Sequence, residues 1–91
     1  MEIRNLLKET LKRGASDLHI CVNSPPLVRI NGEIVPLKYP VLTGEDTRKL
    51  IYSILTEKQR VEFEENLELD FSLYLPEISR FRVNIHLQKG N

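Results

Sequence analysis

Two arginines stand two residues apart in the run Ser79-Arg80-Phe81-Arg82-Val83-Asn84-Ile85-His86. In an extended chain, residues i and i+2 leave the same face. Both guanidinium groups therefore project from one side of one strand. Arginine is always charged, and its planar fork matches phosphate or carboxylate. Such a pair can bind an anion or stabilise charge that develops in a reaction. The plainer alternative is a solvated strand face whose charges pair across strands, with Asp70 as the nearest acid in the pattern.

A second group is Asp17, His19 and Cys21, which alternate with Leu18, Ile20 and Val22. These are metal-ligand types, but three positions along one strand diverge and do not close on one ion. No metal site is expected. The expected roles are structural: Asp17 satisfies backbone or Ser16 donors at the strand start, and His19 is partly buried and hydrogen-bonded. Cys21 could reach His19, but nothing marks it as an activated nucleophile. The four glycines, Gly14, Gly32, Gly44 and Gly90, are scattered. They form neither a GxxxxGK[ST] nor a GxGxxG phosphate loop.

The elements that must hold these residues follow from periodicity. Residues 2–13 read as a helix with Ile3, Leu6, Leu7 and Leu11 on its apolar stripe and Gly14 as its C-terminal stop. Residues 17–22 read as a strand, broken at Asn23-Ser24-Pro25-Pro26. Leu27–Ile30 and Glu33–Leu37 flank Asn31-Gly32, the strongest short-range hairpin signal, because both turn positions need positive φ. Thr43 with Asp46 and Thr56 with Gln59 have capping-box spacing. They open helices over 44–55, with Leu50, Ile51, Ile54 and Leu55 inward, and 57–67, with Val61, Phe63 and Leu67 inward. The other face of the latter helix is acidic, a solvated surface or a dock for a basic partner.

Two alternating strands close the chain. Leu69, Phe71, Leu73 and Leu75 face one way, and Phe81, Val83, Ile85 and Leu87 face inward from the second. A slip of one residue would bury the arginines, so the register is constrained. The two nearest antiparallel registers set Asp70 opposite Asn84 or His86. Either one gathers Asp70, Arg80, Arg82, Asn84 and His86 on one polar face. The order of elements describes an α+β domain, one mainly antiparallel sheet with helices on one face.

Composition narrows the function. The 91 residues suit one domain. Thirteen basic and thirteen acidic residues give no net charge, unlike the basic excess of a nucleic-acid binder. A single cysteine fits a reducing compartment. There is no signal-peptide h-region and no apolar run near the ~20 residues that span a bilayer. A cytoplasmic chain, or one peripheral on the cytoplasmic side, is expected.

Four segments carry a resemblance. Gly14-Ala15-Ser16-Asp17-Leu18-His19-Ile20 resembles the G-A-S-D-L-H-[LI] opening of PilT-type pilus-retraction ATPases, members of the type II/IV secretion ATPase superfamily. Pro25-Pro26-Leu27-Val28-Arg29-Ile30-Asn31-Gly32 is similar to P-P-x-x-R-x-[DN]-G. Residues 57–70 resemble K-Q-R-x-x-F-E-x-x-x-E-x-D, and Arg80-Phe81-Arg82-Val83-Asn84 with Gln88 resembles R-F-R-V-N-x-x-x-Q. The match runs from about Asn5 to Asn91 in one register. It departs at Asn23-Ser24, where the family often has glycine; asparagine tolerates the same left-handed geometry.

The resemblance implies a PAS-like N-terminal domain over 1–91, with 88–91 starting a linker to a RecA-like ATPase core. It marks Asp17, His19, Arg29, Asn31, Gly32, Asp70 and Asn84 as motif positions. It also implies a homohexamer in which each such domain packs on its own and a neighbouring core and brings Arg80 and Arg82 toward the nucleotide. ATP and Mg would be held by the intact protein, at the inner-membrane pilus platform. The chain alone, without a Walker motif, is expected to have no ATPase activity. The alternatives are a free-standing PAS-like small-ligand sensor, which needs an apolar cavity, a partner-binding module, and the matching domain of a pilus-assembly or secretion ATPase.

Overall fold

The computed structural model describes residues 2–87. The linker expected at 88–91, with Gln88 of the last motif, lies outside the described residues. The elements are α1 (Ile3–Lys12), β1 (Asp17–Cys21), β2 (Leu27–Ile30), β3 (Glu33–Pro36), α2 (Gly44–Tyr52), α3 (Glu57–Asn66), β4 (Glu68–Leu75) and β5 (Ser79–His86). The strands form one sheet in the order β3-β2-β1-β5-β4. All neighbours are antiparallel except β1 and β5, which run parallel. This is the expected α+β, PAS-like arrangement.

Local chemistry sets the boundaries. α1 ends where Gly14, at φ 77°, turns the chain, with Ala15 N–H donating to Thr10 O and Gly14 N–H to Leu11 O. That pair of bonds satisfies carbonyls the helix end would leave bare. Asn31 and Gly32 adopt φ 51° and 82°, as the tight hairpin turn requires. Asn23, at φ 66°, takes the left-handed place where the family often has glycine. Both capping boxes form. Thr43 Oγ1 accepts from Asp46 N–H at 3.0 Å, and Thr56 Oγ1 accepts from Gln59 N–H at 3.2 Å.

One core lies between the helices and one face of the sheet. Leu18, Ile20, Val28, Leu69, Phe81, Val83 and Ile85 enter it from the strands, and Leu6, Leu7, Ile51 and Phe63 from the helices. Two helix facings differ from expectation. Leu11 is 44% exposed, and Thr10 is buried in its place. Thr10 Oγ1 donates to Leu6 O at 2.7 Å, which removes the cost of burying the hydroxyl. Ile3, Leu6, Leu7 and Thr10 complete the i, i+3, i+4, i+7 stripe, and Leu11 falls beyond its edge. In α3, Val61 is 54% exposed and Phe63 fully buried, while Leu67 lies past the helix at φ 58°. Residues two apart on a helix point about 200° apart, so Val61 and Phe63 cannot both face the core.

α2 ends at Tyr52, short of Leu55. Ile54 and Leu55 still pack on the core from the connecting turn, Leu55 buried and Ile54 half-buried. Among the described residues, no helix is long and apolar enough to cross a membrane.

Candidate functional site

The polar face of the sheet opposes the helices. β5 supplies Arg80, Arg82 and Asn84 to it. The observed register sets Asp70 opposite Asn84, Ser72 opposite Arg82 and Tyr74 opposite Arg80. β1 lies on the other side of β5, with Asp17 beside Arg82 and His19 beside Asn84. β2 follows, bringing Arg29. One face thus holds Asp17, His19, Arg29, Asp70, Arg82 and Asn84 around a small cleft of about 120 Å³. A water molecule occupies roughly 30 Å³, so the cleft holds a few waters and falls short of a drug-sized ligand pocket.

Charge pairing organises the cleft. Arg82 Nη2 donates to Asp70 Oδ2 at 2.7 Å and Arg82 Nε to Asp70 Oδ1 at 3.2 Å, a two-pronged grip. These bonds hold the Asp70 carboxyl below its usual range and raise the Arg82 guanidinium; Asp17 adds to the latter. Arg29 Nε lies 3.7 Å from Asp17 Oδ2, and Arg29 Nη1 donates to Gly32 O at 3.1 Å. Arg29 therefore braces the Asn31-Gly32 turn against the strand that carries Asp17. This corrects the expectation for Asp17, whose partner is Arg29; Ser16 O accepts instead from Arg82 N–H. The expectation for His19 is half right. The ring is partly buried, but its Nε2 has no hydrogen-bond partner. The forks of Arg29 and Arg82 beside it are already committed to Gly32 O and Asp70.

Arg80 differs. Among the described residues no carboxylate lies within ion-pair distance of it. Its guanidinium sits 5.5 Å from the centre of the Tyr74 ring, a cation–π contact. Tyr74 is the residue sequence reasoning passed over. It shares the outer face with Asp70, and once Asp70 opposes Asn84 the antiparallel register places Tyr74 opposite Arg80.

A second polar cluster joins α2 to α3. Arg48 Nε donates to Glu64 Oε1 at 3.2 Å, the Tyr52 hydroxyl also bonds Glu64, and Arg60 stacks 4.5 Å over the Tyr52 ring. Part of the acidic face of α3 is thus spent inside the domain. The Tyr52 bond, then Arg48, holds the Glu64 carboxyl low, while burial and the Glu64 contact raise the Tyr52 hydroxyl.

No protein-family model matches the chain. Individual relatives do. The type IV pilus retraction ATPase PilT of Pseudomonas aeruginosa is 45% identical over 84 residues, covering 92% of this chain and 24% of that protein. The type IV pilus ATPase PilU of the same organism is 36% identical over 90 residues, covering 99% of this chain and 24% of the relative. A crystal structure of the pilus retraction motor PilT with bound ADP aligns at a TM-score of 0.80 and 46% identity, covering 100% of this chain and 27% of that one. The chain spans about a quarter of the length of the relatives it matches. The likeness in sequence and in fold extends over nearly every residue, and the chain belongs to the PilT-type ATPases as their N-terminal domain.

Proposed function

We propose that this domain is the assembly and coupling element of a hexameric pilus-retraction ATPase. It packs on the ATPase core of a neighbouring subunit and offers Arg80 and Arg82 toward the nucleotide held there. The observation that carries the reading is the pair of guanidinium groups on one rigid strand face, one of them without a carboxylate partner among the described residues. The small charged cleft is no cradle for a nucleotide. ATP and Mg therefore belong to the core of the intact protein, and this domain catalyses nothing alone. ATP supplies the phosphoryl transfer. Arg80 and Arg82 bind and orient phosphate oxygens, and a fork delivered from a moving domain couples domain position to nucleotide state. The partners are the ATPase cores of the ring and the inner-membrane pilus platform, on its cytoplasmic side, with no nucleic acid.

The test is ATP turnover by the intact protein that carries this domain. Arg80→Ala is expected to lower kcat by at least about tenfold, the upper bound being the roughly 10³–10⁵ that an arginine finger contributes. The fold, followed by circular dichroism, should be unchanged. Parent turnover in both Arg80→Ala and Arg82→Ala would remove the coupling role.

A further inference from the structure

The sheet has two edges, and they are built differently. β3 has four residues and ends in Pro36, which has no N–H to offer. β4 has eight residues, Glu68–Leu75, with no proline, lysine or glycine in it. Among the described residues its only strand neighbour is β5. Beyond that ladder the backbone bond made to it is Ile78 N–H to Leu75 O. α3 flanks only its beginning, where Glu62 and Asn66 line a cleft with Glu68 and Leu69. From Asp70 to Tyr74 the outward N–H and C=O groups form a template for another strand. The inward side chains there, Phe71 and Leu73, are only half-buried, and Leu75 beyond them is alike.

We infer that the β4 edge is a homotypic interface, pairing antiparallel with β4 of a second copy about a two-fold axis at Ser72. The pattern is self-complementary in that register. Residues directly opposite each other share a face, so Phe71 meets Leu73 of the second copy and closes the half-covered apolar row. On the polar side Asp70 meets Tyr74 of the second copy, whose ring carries the Arg80 guanidinium. The acidic end of one edge thus meets the cationic end of the other, twice. A register shifted by one residue would set Phe71 against polar side chains. The contact is small, so a weak, concentration-dependent dimer is expected. The inference shares Arg80 with the nucleotide reading but is read by association, so its failure is distinguishable from a loss of turnover.

The test is sedimentation of the 91-residue chain over a concentration series, with two variants at the axis. Ser72 is exposed, so neither Ser72→Lys nor Ser72→Glu disturbs the core. Each sets like charges directly opposite in a dimer. The parent is expected to approach twice the monomer mass as concentration rises, each variant alone to stay monomeric, and a one-to-one mixture of the two to recover dimer. A parent that remains monomeric throughout overturns the inference. So does dimerisation that ignores both variants, or a mixture that stays monomeric.

Discussion

The two faces of β5 follow different physics. Phe81, Val83 and Ile85 point into a close-packed interior where each is essentially sealed from water. Arg80, Arg82 and His86 point outward, and their contacts are an exposed ion pair from Arg82 to Asp70, a 3.5 Å approach of His86 to Glu68 and a ring stack of Arg80 on Tyr74. Burial is cooperative and intolerant of a wrong shape or charge. Exposed pairs are weak because water competes for both partners. A strand built this way can exchange the anion held by an arginine without unsettling its own fold. The inner face secures the backbone, and the outer face can be rearranged on it.

The largest effect should come from putting outer-face chemistry on the inner face. Val83→Asp buries an unpaired carboxylate and is expected to cost more than about 4 kcal/mol, which unfolds a domain this small. A soluble Val83→Asp chain with a cooperative thermal transition would contradict the assigned facing.

The same contrast operates within α3. Phe63→Ala should cost about 3–5 kcal/mol, whereas Val61→Ala, two residues away on the exposed side, should stay within about 0.5 kcal/mol. Urea denaturation of both variants separates them. Equal losses would mean that the helix is rotated from its described position. Thr56→Ala, which removes the cap that opens α3, is expected to cost about 1 kcal/mol by the same measurement.

The smallest effect belongs to the outer face. Arg82 holds the Asp70 carboxyl below its ordinary value. A carboxyl depressed in the folded state stabilises that state above its unfolded pKa, ~3.9 for aspartate. That contribution is lost as pH falls through the folded value. Asp70→Asn should therefore forfeit this small contribution at neutral pH, converge with the parent in acid, and so flatten the limb below about pH 4. An acid limb identical to the parent's would show that the pair is not linked to folding.

Much of this molecule was legible without coordinates, for reasons that differ by residue. Asn31-Gly32 announces its turn because few residues accept positive φ. The Thr43 and Thr56 boxes announce helix starts because the bond partners lie three residues away. Strict alternation in β5 leaves a single facing that hides the apolar set. Legibility failed where apolar residues were sparse. α3 offers only Val61 and Phe63 on opposing sides, and choosing between them requires knowing where the sheet lies. It failed also where a polar residue could satisfy itself, as Thr10 does against Leu6 O. The Arg80–Tyr74 stack was implied by one of the two registers left open and needed the structure to select it.

The sequence by itself determined the faces of the strands, the turns, the caps and the gathering of Asp70, Arg80, Arg82 and Asn84 on one polar side. All of these depend on side-chain periodicity and on bonds between residues close in the chain. Only the tertiary structure decided that β1 lies parallel beside β5, setting Asp17 next to Arg82 and His19 next to Asn84. It alone decided that Asp70 takes Arg82 and leaves Arg80 to a ring. Pairing between distant segments is settled by how helices and strands together close one core, and no local pattern encodes that closure.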